Sequence, residues 1–173
     1  MQTTFITARA VRILAASSSL IALAAATPAL AGSQTSTMGV SATVTANCTV
    51  STAPIAFGNV NTLSGLNYDA NGTVSVTCTN GASWTLSADA GGGTGATMAT
   101  RRMTAGSNTL NYSIYTTSAR GTVWGDGTAT TATIGGSGTG SAQTVTVYGR
   151  VASGQTAVPA GAYSDTVNVT VTY

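Results

Sequence analysis

The sequence predicts an all-β protein, an antiparallel sandwich of immunoglobulin type. Two observations carry this. Stretches in which apolar residues alternate with small polar ones recur along the chain, with the period of a strand that buries one face. Between them fall Gly, Asn, Asp and Pro at positions that reverse a chain, giving six or seven strands in all. Beyond Gly32 no stretch has the 3.6-residue period of a helix.

The chain opens on a different pattern. Arg9 and Arg12 precede an apolar run from Ile13 to Ala26, and Ala29-Leu30-Ala31 offers small residues at a cleavage position. Residues 1–31 are therefore expected to be a secretory signal. The remaining residues suit one domain. In them Arg101, Arg102, Arg120 and Arg150 balance Asp69, Asp89, Asp126 and Asp165, and Lys, Glu and His do not occur. A formally neutral chain of this kind has no footprint for nucleic acid and little charge to oppose self-association.

The first alternating stretch, Thr37–Val50, sets Met38, Val40, Ala42 and Val44 against Gly39, Ser41, Thr43 and Thr45. It reads as a strand, yet the rest of the chain already holds enough strands for a sandwich. This surplus element serves either its own molecule or another. Cys48 and Val50 continue its parity. In an exported chain two cysteines are most simply one disulfide, Cys48 to Cys78, in an oxidising compartment.

Pro54 ends this run, and Ile55–Val60 reads as a short extended piece anchored by Phe57. Leu63–Ala70 reads as a loop and Asn71-Gly72 as a turn. Thr73–Thr79 places Val74, Val76 and Cys78 on one face, and Asn80-Gly81 turns it into a hairpin with Ser83–Ala88, whose Trp84 reads as core. Ala90–Gly95 is a glycine-rich loop without the Lys and helix of a phosphate loop.

Met98–Met103 reads as an edge strand with Arg101 and Arg102 outside. Leu110, Tyr112 and Ile114 mark another strand, and Gly121–Gly127 a turn carrying Trp124 and Asp126. Thr130–Ile134 is a weak strand, and Gly135–Gly140 reads as a flexible connection. Thr144–Val151 is a strand with Gly149 at a bulge. In the last strand Val167, Val169, Val171 and Tyr173 alternate.

The residues also exclude chemistry. Without His or Lys there is neither a triad base nor a Ser-Lys pair, and four scattered Asp residues make a poor glycosidase or metal cage. Zinc ligands are lacking because the cysteines are spent on the disulfide. No enzyme, cofactor, metal or small-molecule substrate is expected.

Several runs together resemble the spore coat protein U family, which includes the pilins of archaic (Csu-type) chaperone-usher pili. They are NGTVSVTCTNGASWTLSADAG (71–91), RRM (101–103), LNYSIYTTSARGTVWGDG (110–127), VYGRV (147–151) and GAYSDTVNVTVTY (161–173). The resemblance implies a sandwich one strand short, completed by a strand from another subunit. A periplasmic chaperone fills the gap first, and the N-terminal extension of the next subunit replaces it in the fibre.

Carried onto this chain, residues 32–46 are the donor extension, with Met38, Val40, Ala42 and Val44 inserting. Residues 47–173 are the domain, with Val167, Val169, Val171 and Tyr173 bordering the acceptor groove. The implied partners are identical or related pilins, the chaperone and an outer-membrane usher. The implied function is a surface fibre for adhesion and biofilm formation. A spore or cyst coat of the same fold is the nearest rival. An outer-membrane β-barrel and a sugar-binding module using Trp84 or Trp124 fit less well, for want of aromatic girdles and of polar constellations.

Overall fold

A computed structural model of the chain describes residues 31–173. The expected signal thus lies, except for Ala31, outside the described residues. Residues up to Ser41 form a unit distinct from Ala42–Tyr173. The fold below is that of the second unit.

Two sheets face each other. The larger is built from β1 (Cys48–Ala53), β2 (Tyr68–Cys78), β9 (Gln143–Val151), β5 (Asn108–Tyr115), β6 (Val123–Trp124) and β7 (Thr131–Ala132), in that spatial order, with β4 (Arg101–Ala105) also paired to β5. The smaller has the order β10 (Val169–Thr172), β3 (Ser83–Ala88) and β8 (Ile134–Ser137). All pairings are antiparallel except β6 with β7. The result is all-β and open at its edges, not a closed barrel.

The core is what the alternation predicts. Val74, Val76 and Cys78 of β2, Leu110, Tyr112 and Ile114 of β5, and Val147 and Val151 of β9 point inward from one sheet. Trp84, Leu86 and Ala88 of β3 meet them from the other, and Trp124 is buried with them. The Cys48–Cys78 disulfide is formed between directly opposed residues of β1 and β2. It closes a loop of sequence separation 30, a constraint worth about 3.5–4 kcal/mol in the chain-entropy account.

Several expectations fail, each for a physical reason. The opening strand begins only at Cys48. Residues 37–46 have no ladder partner and are exposed, so their backbone groups are left to solvent rather than to a sheet. Ile55–Val60 likewise pairs with nothing, although Phe57 does anchor it by an edge-to-face contact with Tyr112, centroids 6.1 Å apart.

Asn71-Gly72 is no turn but lies inside β2, opposite Tyr148 and Val147. Gly72 is there for close approach: a Cβ would sit 2.6 Å from Ile55 Cγ1. Gly149 has the same explanation and no bulge, since a Cβ would meet Ile55 Cγ2 at 2.7 Å and Phe57 Cζ at 2.8 Å.

β2 and β3 do not form a hairpin. Asn80-Gly81, with Gly81 at φ +80°, carries the chain from one sheet to the other, and β3 pairs with β10 and β8. Gly135–Ser137, expected to be a flexible connection, is β-strand. Gly136 lets the Trp84 ring lie on the backbone, where a Cβ would stand 2.7 Å from Cε2.

Finally, Arg101 is not outside. It is 0 % exposed.

Candidate functional site: an apolar groove between two open edges

β1 is bonded to β2 on one side only, and β10 to β3 on one side only. Their other edges are open, and they border the same gap between the sheets. At one end of that gap is a cavity of about 320 Å³. Ala53, Pro54, Ile55 and Phe57 line it from the β1 side, Tyr112, Ile114 and Trp124 from its floor, and Val167 and Val169 from the far wall. The lining is mostly aliphatic and aromatic, so an occupant would have to be apolar. Backbone groups on both open edges could bond an extended chain laid between them.

The far wall is held by side chains rather than by a continuous ladder. Ser164 exchanges backbone bonds with Thr104 of β4 at 2.8 and 3.1 Å, and β10 is regular only from Val169. Between them, two carboxylates fix the chain. Asp165 accepts from Tyr112 Oη at 2.7 Å, from Gly92 N at 2.8 Å and from its neighbour Thr166 N. Asp89 accepts from Asn168 N at 2.9 Å and Asn168 Nδ2 at 2.6 Å.

Arg101 sits behind both. Its guanidinium donates to four carbonyls: Asp89 O at 2.8 Å, Trp124 O at 2.8 Å, Met98 O at 3.0 Å and Ala88 O at 3.4 Å. Burial pushes its pKa down, opposed by Tyr112, Asp89 and Asp165, but a guanidinium remains charged. The outward placement of Arg101 failed because three of those carbonyls lie on β6, at the end of β3 and just after it, far along the chain, where spacing in sequence carries no signal.

Protonation shows how the wall responds to pH. Desolvation pushes Asp89 upward, but the Asn168 side chain, the Gly91 and Asn168 amides and Arg101 outweigh it, leaving its pKa below the usual carboxylate range. Asp69 is lowered first by its hydrogen bond from Arg150, against some desolvation, with charge from Arg120 and Arg150 adding to the lowering. Burial, then the hydrogen bond to Asp165, pushes the Tyr112 hydroxyl up.

Depressed carboxylates stabilise the fold above their unfolded pKa and lose that contribution as pH falls through the folded value. A raised tyrosine costs stability once pH exceeds its unfolded pKa of about 10. With no His in the chain, thermal stability should be flat from about pH 5 to 9, falling below about pH 4 and above about pH 10. Melting curves across that range check it, and a transition near pH 6 to 7 would contradict it.

The sequence-derived acceptor residues are partly gathered here. Val167 and Val169 line the cavity, Val171 continues the same face of β10, and Tyr173 at the chain end is 57 % exposed. The expected inserting residues are exposed: Met38, Val40 and Val44 at 88 %, 88 % and 83 %, and Ala42 as well. The β1-side wall and the floor escaped the sequence reading, apart from Phe57 as an anchor.

Comparison with known proteins adds three findings. A family model described as the Spore Coat Protein U domain matches residues 34–170. No curated protein matches the chain. Among solved structures, one that aligns is a chain from the crystal structure of the CsuC-CsuE chaperone-tip adhesion subunit pre-assembly complex, from archaic chaperone-usher Csu pili of Acinetobacter baumannii. It is 20 % identical with a TM-score of 0.57, and the alignment covers 76 % of this chain but only 40 % of that one.

Proposed function

The chain belongs to the Spore Coat Protein U domain family, and from that premise we propose that it is a structural subunit of a surface fibre that polymerises by donating a strand. One observation carries the reading: two sheet edges stand open on either side of an apolar cavity, while an alternating apolar segment of the same chain stands exposed. The segment of one copy is the missing strand of the next.

On this reading residues 1–31 are the export signal, 32–46 the donor extension and 47–173 the acceptor domain. Met38, Val40, Ala42 and Val44 enter a groove walled by Val167, Val169, Val171 and Tyr173. The partners are identical or related subunits, with a periplasmic chaperone holding the groove before assembly and an outer-membrane usher at the exit. The destination is the cell surface, where such a fibre would serve adhesion and biofilm formation. The role is structural, without catalysis.

The energetics suit the proposal. Burying Met38, Val40 and Val44 contributes about 1.5–3 kcal/mol each before ordering costs. Each ladder bond adds about 1 kcal/mol net. That sum is comparable with the whole stability of a small domain. Because donor and acceptor are different surfaces, the contact propagates as an open fibre rather than closing a dimer.

Surface extracts run with and without boiling test this. Unboiled samples should show a ladder of multiples of the subunit, collapsing to monomer on boiling. A single heat-independent monomer band would refute the reading. The family's description favours one alternative, a coat laid down as a layer, and electron microscopy of the cell surface separates layer from fibre.

A further inference from the structure

If the groove takes a strand of this kind, the chain's own extension is the nearest candidate, joined to β1 through Thr45, Ala46 and Asn47. Resting on the fibre reading, we propose that the junction at Asn47 and Cys48 determines the partner. It puts the chain's own apolar segment out of register with its own groove and leaves the groove to a second copy.

The junction is fastened to β2. Asn47 O accepts from Thr79 N at 2.9 Å and from Thr79 Oγ1 at 3.3 Å, and Asn47 N donates back to Thr79 Oγ1 at 3.1 Å. One residue on, Cys48 is opposite Cys78 and covalently joined to it. The β1–β2 ladder is thus carried one rung past the disulfide, and the Asn47 backbone is held in it by the amide and the hydroxyl of Thr79 together.

Register then decides the matter. To enter its own groove the segment must reverse and run back along the open edge of β1, where directly opposed residues share a face. The inward positions of β1 are Cys48 and Val50, packed against the core, whereas Thr49 and Ser51 are exposed. A two-residue loop at Thr45-Ala46 keeps Asn47 on its rung but pairs Ala42 with Thr49 and Val40 with Ser51. Every apolar side chain then faces solvent, the consequence of a one-residue slip.

A three-residue loop over Thr45–Asn47 restores the parity, pairing Ala42 with Val50, but only by pulling Asn47 off Thr79. A three-residue loop over Val44–Ala46 keeps both rung and parity. It spends Val44 in the turn and requires Ala46, the last loop residue, to adopt the left-handed conformation that suits Gly. Each of the three carries a cost: exposed apolar side chains, a lost rung, or a left-handed alanine with Val44 spent in the turn. A strand from another molecule carries no such constraint, because its register is not fixed by a loop.

The test repairs the loop. In the mature full-length chain, Thr45→Asn with Ala46→Gly supplies the residues a Val44–Ala46 reversal needs. Asn47→Gly with Thr79→Val eases the other route: it removes both Thr79 Oγ1 bonds, leaves only the backbone bond from Thr79 N, and gives residue 47 the freedom of glycine. Unboiled ladders from both should shift towards a compact monomer, with the monomer-to-polymer ratio rising at least tenfold over wild type. Adding Val40→Asp to either variant should abolish that monomer, which marks it as self-inserted. Unchanged ladders in both variants, or loss of ladder with no stable monomer in both, would overturn the proposal. So would a wild-type chain that is already a long-lived monomer protected over residues 38–44. A wild-type chain with neither ladder nor protected monomer overturns the fibre reading itself.

Discussion

Val40→Asp is expected to leave export and subunit abundance unchanged while abolishing polymer. Val40 is 88 % exposed in its own chain, so the substitution removes no packing from the isolated fold. In the groove of a neighbour the carboxylate would be buried near apolar walls and near Asp165, with no cation to pair it. The loss of valine burial, about 1.5–3 kcal/mol, adds to a desolvation penalty of several kcal/mol for an unpaired charge. Together they amount to about 5 kcal/mol, a weakening of more than a thousandfold. Immunoblots of periplasmic and surface fractions read the outcome. Normal ladders from the mutant would remove Val40 from the interface.

Arg101→Ala acts on the opposite side of the contact, through the acceptor. Truncation strands four carbonyls that now share one guanidinium and leaves a void where the largest buried polar side chain was. Unsatisfied buried acceptors cost about 1–3 kcal/mol apiece when no water reaches them. A total on the order of 4 kcal/mol is expected, against a stability of about 5–15 kcal/mol for the whole domain. Melting should fall by about 10 °C or more, and the amount of subunit in the periplasm should fall with it. Arg101→Lys should lie in between, since an ammonium cannot span acceptors on β3, β6 and the loops at once. A melting point within a few degrees of wild type for Arg101→Ala would mean that solvent replaces the guanidinium.

The two substitutions also show what was legible in the sequence. Val40 stands out in the sequence by period-two alternation, a local signal. The same signal placed Val74, Val76, Leu110, Ile114 and Val147 in the core. Arg101 gave no such sign, because its role depends on Ala88, Asp89, Met98 and Trp124 converging in space.

Glycine misled for a related reason. Asn71-Gly72 and Gly135-Gly136 have the composition of turns, but what selects glycine at Gly72 and Gly136 is a side chain from elsewhere, Ile55 in one case and Trp84 in the other, lying where a Cβ would be. Local chemistry dictates the faces of strands. Which strands become neighbours, and so where the gap falls, follows from contacts that no window of sequence contains.

The Cys48–Cys78 bridge and the Asn47–Thr79 rung have a mechanical side as well. In a fibre of linked subunits, tension applied along the axis would enter each body through the backbone just before Cys48. There it meets a covalent cross-link at once and is passed to β2, whose eleven residues lie in the interior of the larger sheet. β1 is therefore shielded from being peeled rung by rung.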